Sequence, residues 1–376
     1  MNRLKNLIKN NIVIQKLYII FGTAFFRFIG LFIPIKKNRI LFTAMSGNSY
    51  EYTSPYVLYL AIKEKYGDSY EYVWAFSKKQ KAENYNGKRV KIDSFRYFIN
   101  VLKSRIWITD VNIERGLRLK RKKQYYVNTW HGGITKGYPK KRKDYKLTNV
   151  DIFCSDGEEY EKFFIEHYKV NPNAFLRCGR PREDDIFYHQ EHRDEYREKH
   201  GFSKNDYIVL YMPTWRENGN DNCLDFNVIL EKLPDIKILF HAHNLSNDQK
   251  LSRKNIFDLS NESNVNMLYA IANLLITDFS SCMYDFMLLD KPVILFAKDY
   301  NDYLHSRGLA LDFKQLFPNS MVTEEVDLVS VINKIRNNYN VEEYREFLKR
   351  VVSIDRKCSA TKIIISKMEE DGCFIY

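Results

Sequence analysis

From Asn38 onward, short apolar runs alternate with amphipathic stretches, and this alternation constrains the possible folds more than any other feature of the sequence. It is typical of parallel sheets whose strands are covered by helices on both faces. Six apolar runs in the first half predict strands at 39–44, 70–76, 105–109, 124–129, 150–154 and 174–178. A polar stretch follows at 189–206, and four further runs predict strands at 207–212, 237–242, 273–277 and 292–297.

The polar stretch at 189–206 is rich in Asp, Glu and Lys, as expected of an inter-domain linker. A chain of 376 residues is also too long for one ordinary hydrophobic core. We therefore expect an α/β protein with an N-terminal domain over 38–200 and a C-terminal domain over 201–376. Each domain is expected to be Rossmann-like, and the two are expected to face each other across a cleft. By fold analogy, the helices from about 323 to 349 are expected to pack back across that cleft.

Residues 17–35 form an apolar run with one charge, Arg27, and basic segments flank it on both sides. A secretory signal is disfavoured because no small-residue cleavage site follows. A spanning helix is one alternative, but it would place the charged Arg27 near the middle of the membrane. A helix buried in the first domain is another. An amphipathic helix lying in the membrane interface meets neither objection. We therefore expect residues 1–37 to associate with an anionic membrane surface.

The net charge of +12 is concentrated in two stretches. Residues 1–50 contain eight Lys or Arg and no acid, and residues 115–146 contain twelve Lys or Arg and one acid. A nucleic-acid partner is not expected, because the basic runs lack interleaved aromatic platforms and any known RNA or DNA module. Anionic lipid, a polyanionic acceptor or donor phosphates account for the charge instead. The six cysteines form no CxxC pair and indicate reduced thiols in the cytosol.

Ligands of doubly wound sheets bind beyond the carboxyl ends of the strands, so motifs that directly follow a predicted strand are the candidates for a ligand site. In the segment 128–141, Gly132 and Gly133 let the backbone approach an anion, and Lys136 can bind phosphate oxygens. His131 is placed to accept the proton of an attacking hydroxyl. The alternative is a tight turn with a hydrogen-bonded histidine.

Two further strand ends carry cationic motifs. In the segment 178–184, Arg180 and Arg182 flank a proline and suit bidentate capture of a phosphate, although a salt-bridge cluster with the nearby acids is an equal alternative. In the segment 211–218, Pro213 ends the strand, Thr214 offers a hydroxyl and Arg216 offers a charge. A plain core turn is the alternative there.

The fourth motif pairs the segments 241–244 and 277–286 in the predicted C-terminal domain. Ser280 and Ser281 are predicted to cap a helix whose free amides suit a pyrophosphate. Asp285 lies one turn later and can hold ribose hydroxyls, while His241 and His243 share a strand face and can contact the diphosphate. The alternative is an ordinary capped helix with a pair of core histidines. No acidic metal-binding cluster is visible, so we expect metal-independent chemistry without a cofactor.

Taken together and in order, these motifs resemble the CDP-glycerol glycerophosphotransferase family, which makes teichoic acids and related capsule polymers. The resemblance is carried by the segments 40–56, 127–141, 178–184, 211–217, 241–244, 274–296 and 303–313. It departs from the family pattern where WHGTP is replaced by a loop containing Gly133 and Ile134, and where a histidine-proline pair is replaced by His243 and Asn244. The resemblance implies a GT-B-like fold, with a CDP-polyol donor in the C-terminal domain, and peripheral attachment to the cytoplasmic face of the cell membrane.

The resemblance also implies the reaction: glycerol phosphate passes from CDP-glycerol to a hydroxyl of a lipid-linked saccharide or polyol-phosphate acceptor, and CMP is released. Transfer of ribitol phosphate from CDP-ribitol, a GT-B glycosyltransferase using a sugar nucleotide, and a non-catalytic membrane or polyanion-binding module are the alternatives. By matching motif, His131 and His243 are the catalytic candidates. The substrate-binding candidates are Gly132, Gly133, Ile134, Lys136, Arg180, Arg182, Pro213, Thr214, Arg216, His241, Ala242, Ser280, Ser281 and Asp285.

Overall fold

A computed structural model describes two compact units of the chain, and each unit is built on a parallel sheet. The residues it describes are 11–78, 85–137, 146–214, 224–241, 254–317, 319–352 and 358–374. The first unit comprises Met1–His131, Pro139–Asp184 and Ser353–Tyr376, and the second comprises Gly132–Tyr138 and Asp185–Val352.

The described part of the first unit contains a seven-stranded sheet in the order β3-β2-β1-β4-β5-β6-β7. That of the second unit contains a six-stranded sheet in the order β10-β9-β8-β11-β12-β13. All neighbouring strands are parallel. The strands are β1 (Lys36–Thr43), β2 (Glu71–Phe76), β3 (Lys88–Lys91), β4 (Ser104–Thr109), β5 (Tyr125–Asn128), β6 (Ile152–Ser155), β7 (Phe175–Arg177), β8 (Ile208–Met212), β9 (Lys237–Phe240), β10 (Ile256–Asp258), β11 (Leu274–Thr277), β12 (Val293–Phe296) and β13 (Met321–Val322).

Both orders contain the 3-2-1-4-5-6 arrangement of a doubly wound Rossmann-like sheet. Central strands such as β1 and β11 are buried along most or all of their length, because helices cover both faces. The helices are α1 (Ile12–Leu31), α2 (Ser54–Tyr66), α3 (Phe95–Lys103), α4 (Glu158–Tyr168), α5 (Ile186–Glu191), α6 (Arg193–Lys199), α7 (Phe226–Lys232), α8 (Val265–Ile271), α9 (Cys282–Met287), α10 (Tyr300–Ser306), α11 (Phe313–Leu316), α12 (Glu325–Asn338), α13 (Val341–Val351) and α14 (Ala360–Glu370).

The α/β prediction is confirmed, and all ten predicted strands are present within one to three residues of their predicted bounds. Three strands, β3, β10 and β13, were not predicted. They lie at or beside the sheet edges and are two to four residues long, and β3 (KRVK) has no apolar run. Edge strands bury less of each side chain, so their sequences need not be apolar.

The N-terminal helix α1 lies along the first unit with one side and exposes the other. The Phe26 ring lies 4.5 Å from the Phe98 ring, and Arg27 Nε donates to the Arg118 carbonyl over 2.8 Å. Gly30 is the one buried residue of the helix, so the alternative of a helix buried in the first domain is wrong. Among the described residues, α1 alone is long and apolar enough to cross a membrane, by length and composition.

The end of the chain returns to the first unit through α14. Asp184 accepts hydrogen bonds at the start of this helix from Ser359 Oγ (2.7 Å), Ala360 N (2.8 Å) and Thr361 N (2.9 Å). Helices α12 and α13 instead belong to the second unit. The α12 residues Leu328 and Ile332 are part of the hydrophobic core of that unit. The packing of the helices from about 323 to 349 back across the cleft stays a prediction.

The boundary between the two units does not lie after residue 200, where it was predicted. The change comes after Asp184, because α5 and α6 pack on α8 of the second unit. The segment Gly132–Tyr138 belongs to the second unit although both flanking segments belong to the first. A linear boundary cannot describe a chain that changes unit four times.

Candidate functional site

Each sheet has a topological switch point, where the direction of the strand order reverses and ligands of doubly wound folds bind. The switch points lie between β1 and β4 and between β8 and β11. At the first, the Met45 amide donates to Asp110 Oδ1 over 2.8 Å. At the second, the Thr214 amide donates to Asp278 Oδ1 over 2.9 Å. We call the residues Met45, Asp110, His131 and Arg182 the first edge, and the residues Thr214, His241, Asp278, Ser280, Ser281 and Asp285 the second edge.

Asp110 follows β4 directly and is the acid of the first edge, with 3% of its surface exposed. Burial raises the pKa of Asp110 to about 7, although the Met45 amide and the Arg182 charge both act to lower it. The loop after β1 that supplies the amide has positive φ at Met45, Ser46 and Gly47. A Cβ on Gly47 would lie 2.7 Å from the Ser77 amide nitrogen, so only glycine fits there.

His131 follows β5 and is half-buried. Its Nδ1 lies 2.7 Å from the main-chain carbonyl oxygen of Asp110. The preceding residue, Trp130, has a positive φ of 50°, a conformation that is strained for a tryptophan. Its indole ring packs 4.9 Å from the Phe164 ring and 4.4 Å from the His131 ring. Aromatic packing on Trp130 therefore compensates for a backbone turn that brings His131 to Asp110.

The two arginines of the segment 178–184 have different environments. The Arg182 guanidinium donates to the His131 carbonyl over 2.9 Å, which brings this arginine into the first edge. Arg180 is 3% exposed and donates to Asp156 and, over 2.6 Å, to Glu183. This geometry supports the ion-pair interpretation for Arg180 rather than capture of a phosphate.

The segment after His131 pairs with the chain following α10, within the second unit. Gly137 N donates to the Gly308 carbonyl and Ala310 N donates to the Thr135 carbonyl, each over 3.0 Å, while Lys136 is exposed. Gly308 belongs to the segment 303–313, which had no predicted role. This pairing fixes the backbone of the predicted phosphate loop.

Tyr284, on α9, explains why glycine stands at position 133. A Cβ on Gly133 would lie 2.3 Å from the Tyr284 ring, which leaves no room for a side chain. The Tyr284 hydroxyl donates to the Ile134 carbonyl over 2.7 Å, and Ile134 is itself buried. Gly133 and Ile134 thus pack against Tyr284. The loop departs from the family pattern at the two positions that contact this aromatic side chain.

At the second edge, Thr214 follows Pro213 and donates to Asp278 through both its amide and its hydroxyl. Its hydroxyl therefore has a protein partner in this structure rather than standing ready for a phosphate. His241 Nε2 lies 3.0 Å from the Glu262 carbonyl oxygen, so this ring is held within the second unit. The candidates Arg216, Ala242 and His243 lie outside the described residues.

Ser280 and Ser281 precede the six-residue helix α9, as predicted, but they do not form the predicted cap. Ser281 occupies the N-cap position without a side-chain capping bond, and Ser280 Oγ accepts from Cys282 N over 3.4 Å. Both side chains are half-buried, and Asp285 on the helix is 6% exposed. The Ser281 hydroxyl is thus not used in helix capping, whereas the Ser280 hydroxyl accepts one amide of the first turn.

Sequence reasoning missed Met45, Asp110 and Asp278, which lie at the two switch points. A signal for the two acids was present, because the tripeptide Ile-Thr-Asp ends both predicted strands, at 108–110 and at 276–278. Within the described residues, no group of three or more His, Cys, Asp or Glu side chains is arranged to hold a metal ion.

The family model and the curated relatives that match this chain agree on one family. The family model described as CDP-Glycerol:Poly(glycerophosphate) glycerophosphotransferase matches residues 25–366. A teichoic acid poly(glycerol phosphate) polymerase of Bacillus spizizenii is 26% identical over 90% of this chain and 94% of its own length. A teichoic acid ribitol-phosphate primase of the same species is 27% identical over 60% of this chain and 64% of its own length. The solved structure of the wall teichoic acid polymerase TagF matches with a TM-score of 0.75 and 23% identity, over 98% of this chain and 97% of that one.

Proposed function

The chain belongs to the CDP-glycerol:poly(glycerophosphate) glycerophosphotransferase family, and from this membership we propose that it transfers glycerol phosphate from CDP-glycerol to a hydroxyl of a lipid-linked or polymeric acceptor. The product is a teichoic-acid or capsule-type polymer, and CMP is released. The observation that carries the proposal is the position of His131, at the carboxyl end of β5 beside the Asp110 carbonyl at the first switch point. The GT-B-like arrangement of the two domains stays a prediction.

In the proposed reaction, the acceptor hydroxyl attacks the β-phosphorus of the donor while His131 accepts its proton. The Arg182 guanidinium, which donates to the His131 carbonyl, supplies positive charge at the first edge. Lys136 and His243 are proposed to stabilise the phosphoryl oxygens, as protein cations do in phosphoryl transfer. His243 enters by matching motif alone.

The donor is proposed to contact the second edge through Ser280 and Ser281. Both residues are half-buried at the carboxyl end of β11, next to the second switch point, and Ser281 forms no side-chain capping bond. Asp285 remains the proposed partner of the ribose hydroxyls. Thr214 is proposed to act through Asp278, because its hydroxyl is already donated to that carboxylate.

CDP-ribitol is a second candidate donor, and the observation that favours it is the similarity to a ribitol-phosphate primase. The test is to incubate the purified protein and a lipid-linked acceptor analogue with CDP-glycerol, CDP-ribitol or a UDP-sugar. CMP release with either CDP-alcohol, dependent on acceptor, supports the proposal and identifies the donor. Turnover of the UDP-sugar alone would show a glycosyltransferase, and no turnover of any donor would leave a binding module.

We also propose that α1 lies in the interface of an anionic membrane at the cytoplasmic face. The side of α1 away from the first unit exposes Val13 (61%), Phe21 (67%), Phe28 (62%) and Leu31 (78%), which recur at helical spacing. On the opposite side of α1, Arg27 Nε donates to the Arg118 carbonyl and Thr23 Oγ1 accepts the Arg118 amide, so α1 is bonded to the first unit. A spanning orientation would break both bonds. The basic residues around α1 suit anionic headgroups.

Vesicle co-sedimentation tests this orientation. The wild-type protein should bind vesicles containing anionic lipid and dissociate as salt is raised. Phe21→Glu combined with Phe28→Glu should abolish binding, whereas Val326→Glu, at an equally exposed apolar residue of α12, should not. Binding retained by the double variant would exclude α1 as the anchor.

A further inference from the structure

The mechanism above uses the His131 ring and assigns no role to the acid beside it. We propose that Asp110 is a positioning residue for His131: its main-chain carbonyl selects the ring tautomer that accepts a proton on Nε2, and its carboxylate strengthens that base. The inference rests on the proposed function in one respect, which is that His131 is the general base.

The contact between the two residues determines where the ring proton lies. A carbonyl oxygen only accepts hydrogen bonds, and the Asp110 oxygen lies 2.7 Å from His131 Nδ1. Nδ1 must therefore carry the proton in this contact. In the neutral ring the lone pair is then on Nε2, which makes Nε2 the nitrogen that can accept a proton.

The position of the carbonyl is itself well determined. Asp110 directly follows β4, which pairs in register with β1 and β5. Its carboxylate accepts the Met45 amide across the switch point, so the residue is held through the strand and through its side chain. With 3% of its surface exposed, Asp110 has little freedom to move. The carbonyl thus presents a fixed acceptor to the ring.

Three elements place groups against the Asp110 carboxyl. The loop after β1 provides the uncharged Met45 amide and the turn Pro181–Glu183 provides the Arg182 charge, while the end of β5 places the His131 ring against the main-chain carbonyl of the same residue. Burial raises the pKa of Asp110 to about 7, into the range in which a histidine titrates. A charge on the Asp110 carboxyl acts on the His131 ring, which contacts the main-chain carbonyl of the same residue, so we expect the two groups to titrate as a coupled pair. A charged carboxylate favours the protonated ring and so makes His131 the stronger base.

These contacts bear directly on the transfer step. The acceptor oxygen forms a bond to the β-phosphorus and its proton passes to His131 Nε2. The bond from the β-phosphorus to the bridging oxygen breaks, and its electron pair leaves with CMP. As the ring becomes positive, the Asp110 carboxylate stabilises the new charge, because a carboxylate that is 3% exposed is little screened by water.

Asp110→Asn removes the charge and keeps an oxygen for the Met45 amide. We expect kcat to fall about tenfold and the midpoint of its acidic limb to move to lower pH by about one unit, while KM for CDP-glycerol changes less than about twofold. Glu114→Gln is the matched control, because Glu114 is also a buried acid of the first unit and accepts the Lys120 amide over 2.9 Å. A profile for Asp110→Asn that superimposes on the wild type, or an equal shift in Glu114→Gln, would overturn the proposal.

Nitrogen NMR of histidine-labelled protein gives a readout that does not depend on activity. In the wild type, we expect the His131 ring to be protonated on Nδ1 when neutral, and we expect its titration midpoint to be lower in Asp110→Asn. A neutral ring protonated on Nε2 would overturn the proposal even if the variants fail to fold. If NMR shows the coupling but His131→Ala retains turnover, the assignment of His131 as base fails and the pairing with Asp110 stands.

Discussion

The two switch points are built alike and differ in one donor. The same tripeptide, Ile-Thr-Asp, ends β4 and β11, and each terminal acid accepts a main-chain amide from the loop after the neighbouring strand. Asp278 also accepts the Thr214 hydroxyl, whereas the equivalent residue at the first edge, Met45, has no side-chain donor. The hydrogen-bond donors of the acid at a switch point thus depend on the loop after the neighbouring strand, even where the acid follows the same residues, Ile-Thr.

The difference separates two kinds of chemistry. At the first edge, a buried acid with a raised pKa lies against a histidine, an arrangement that suits proton transfer. At the second edge, the acid is satisfied by two donors and lies beside two serine hydroxyls, an arrangement that suits binding of a ligand without proton transfer. The predictions below test whether the two edges divide the reaction in this way.

The largest expected effect is the loss of the histidine of the first edge. His131→Ala should lower kcat by about 10²- to 10⁴-fold, the usual contribution of a general base, and should leave the circular dichroism spectrum unchanged. His241→Ala is the comparison, because the His241 ring is held by the Glu262 carbonyl of the second unit. It should lower kcat much less. Equal losses of kcat in the two variants would contradict the division between the edges.

The second effect is a pH dependence that belongs to the first edge. Since the pKa of Asp110 is raised from 3.8 to about 7, its contribution to stability is fully present below pH 3.8 and is lost as the pH rises through about 7. From this group alone, the free energy of unfolding should be roughly 2–3 kcal/mol lower at pH 8 than at pH 5.

Urea denaturation of the wild type and of Asp110→Asn at both pH values measures this contribution. The variant lacks the titrating group, so its free energy of unfolding should fall less between pH 5 and pH 8. Equal falls in the two proteins would show that Asp110 does not titrate in this range, and the contrast between the edges would lose its electrostatic basis.

The third effect concerns the donor that distinguishes the edges. Thr214→Val keeps the shape of the side chain and removes the hydroxyl that donates to Asp278, leaving the amide bond in place. The expected cost is about 1–2 kcal/mol of unfolding free energy, because a buried carboxylate loses one of its partners. Thr214→Ser is the control and should retain most of the stability in the same urea titration. A neutral Thr214→Val would mean that the hydroxyl does not set the environment of Asp278.

How far the sequence predicts these features depends on the range of the interactions involved. Strands with apolar runs and the motifs at their ends were predicted, because both follow from local patterns, and His131 became a candidate in this way. The burial of Arg180 was left open, since its partner Asp156 lies 24 residues earlier in the chain. The return of α14 was not predicted either, because Ser359 meets Asp184 across 175 residues.

The acids of the switch points were missed for a different reason. Asp110 and Asp278 carry no motif beyond the shared Ile-Thr-Asp, and their importance depends on which strands are neighbours in the sheet. Strand order is a property of the whole chain and is not written in any one segment. The capping role predicted for Ser281 failed for a local reason, because its backbone angles are helical (φ −69°, ψ −8°) and not the extended ones of a capping residue.

The smallest expected effect on stability comes from the second edge and separates a structural role from a binding role. Ser281 makes no side-chain capping bond, so Ser281→Ala should change the unfolding free energy by less than about 0.5 kcal/mol, below the cost of removing a working N-cap. If the hydroxyl instead contacts the donor, KM for CDP-glycerol should rise several-fold while kcat changes little. Thr53→Ala is the control for real capping, since Thr53 Oγ1 accepts the Tyr56 amide over 3.4 Å at the start of α2. If Ser281→Ala loses stability and keeps the KM of the wild type, Ser281 serves helix capping and does not contact the donor. A hydroxyl that stabilises only the fold does so equally in free and in substrate-bound protein, so its loss leaves KM unchanged.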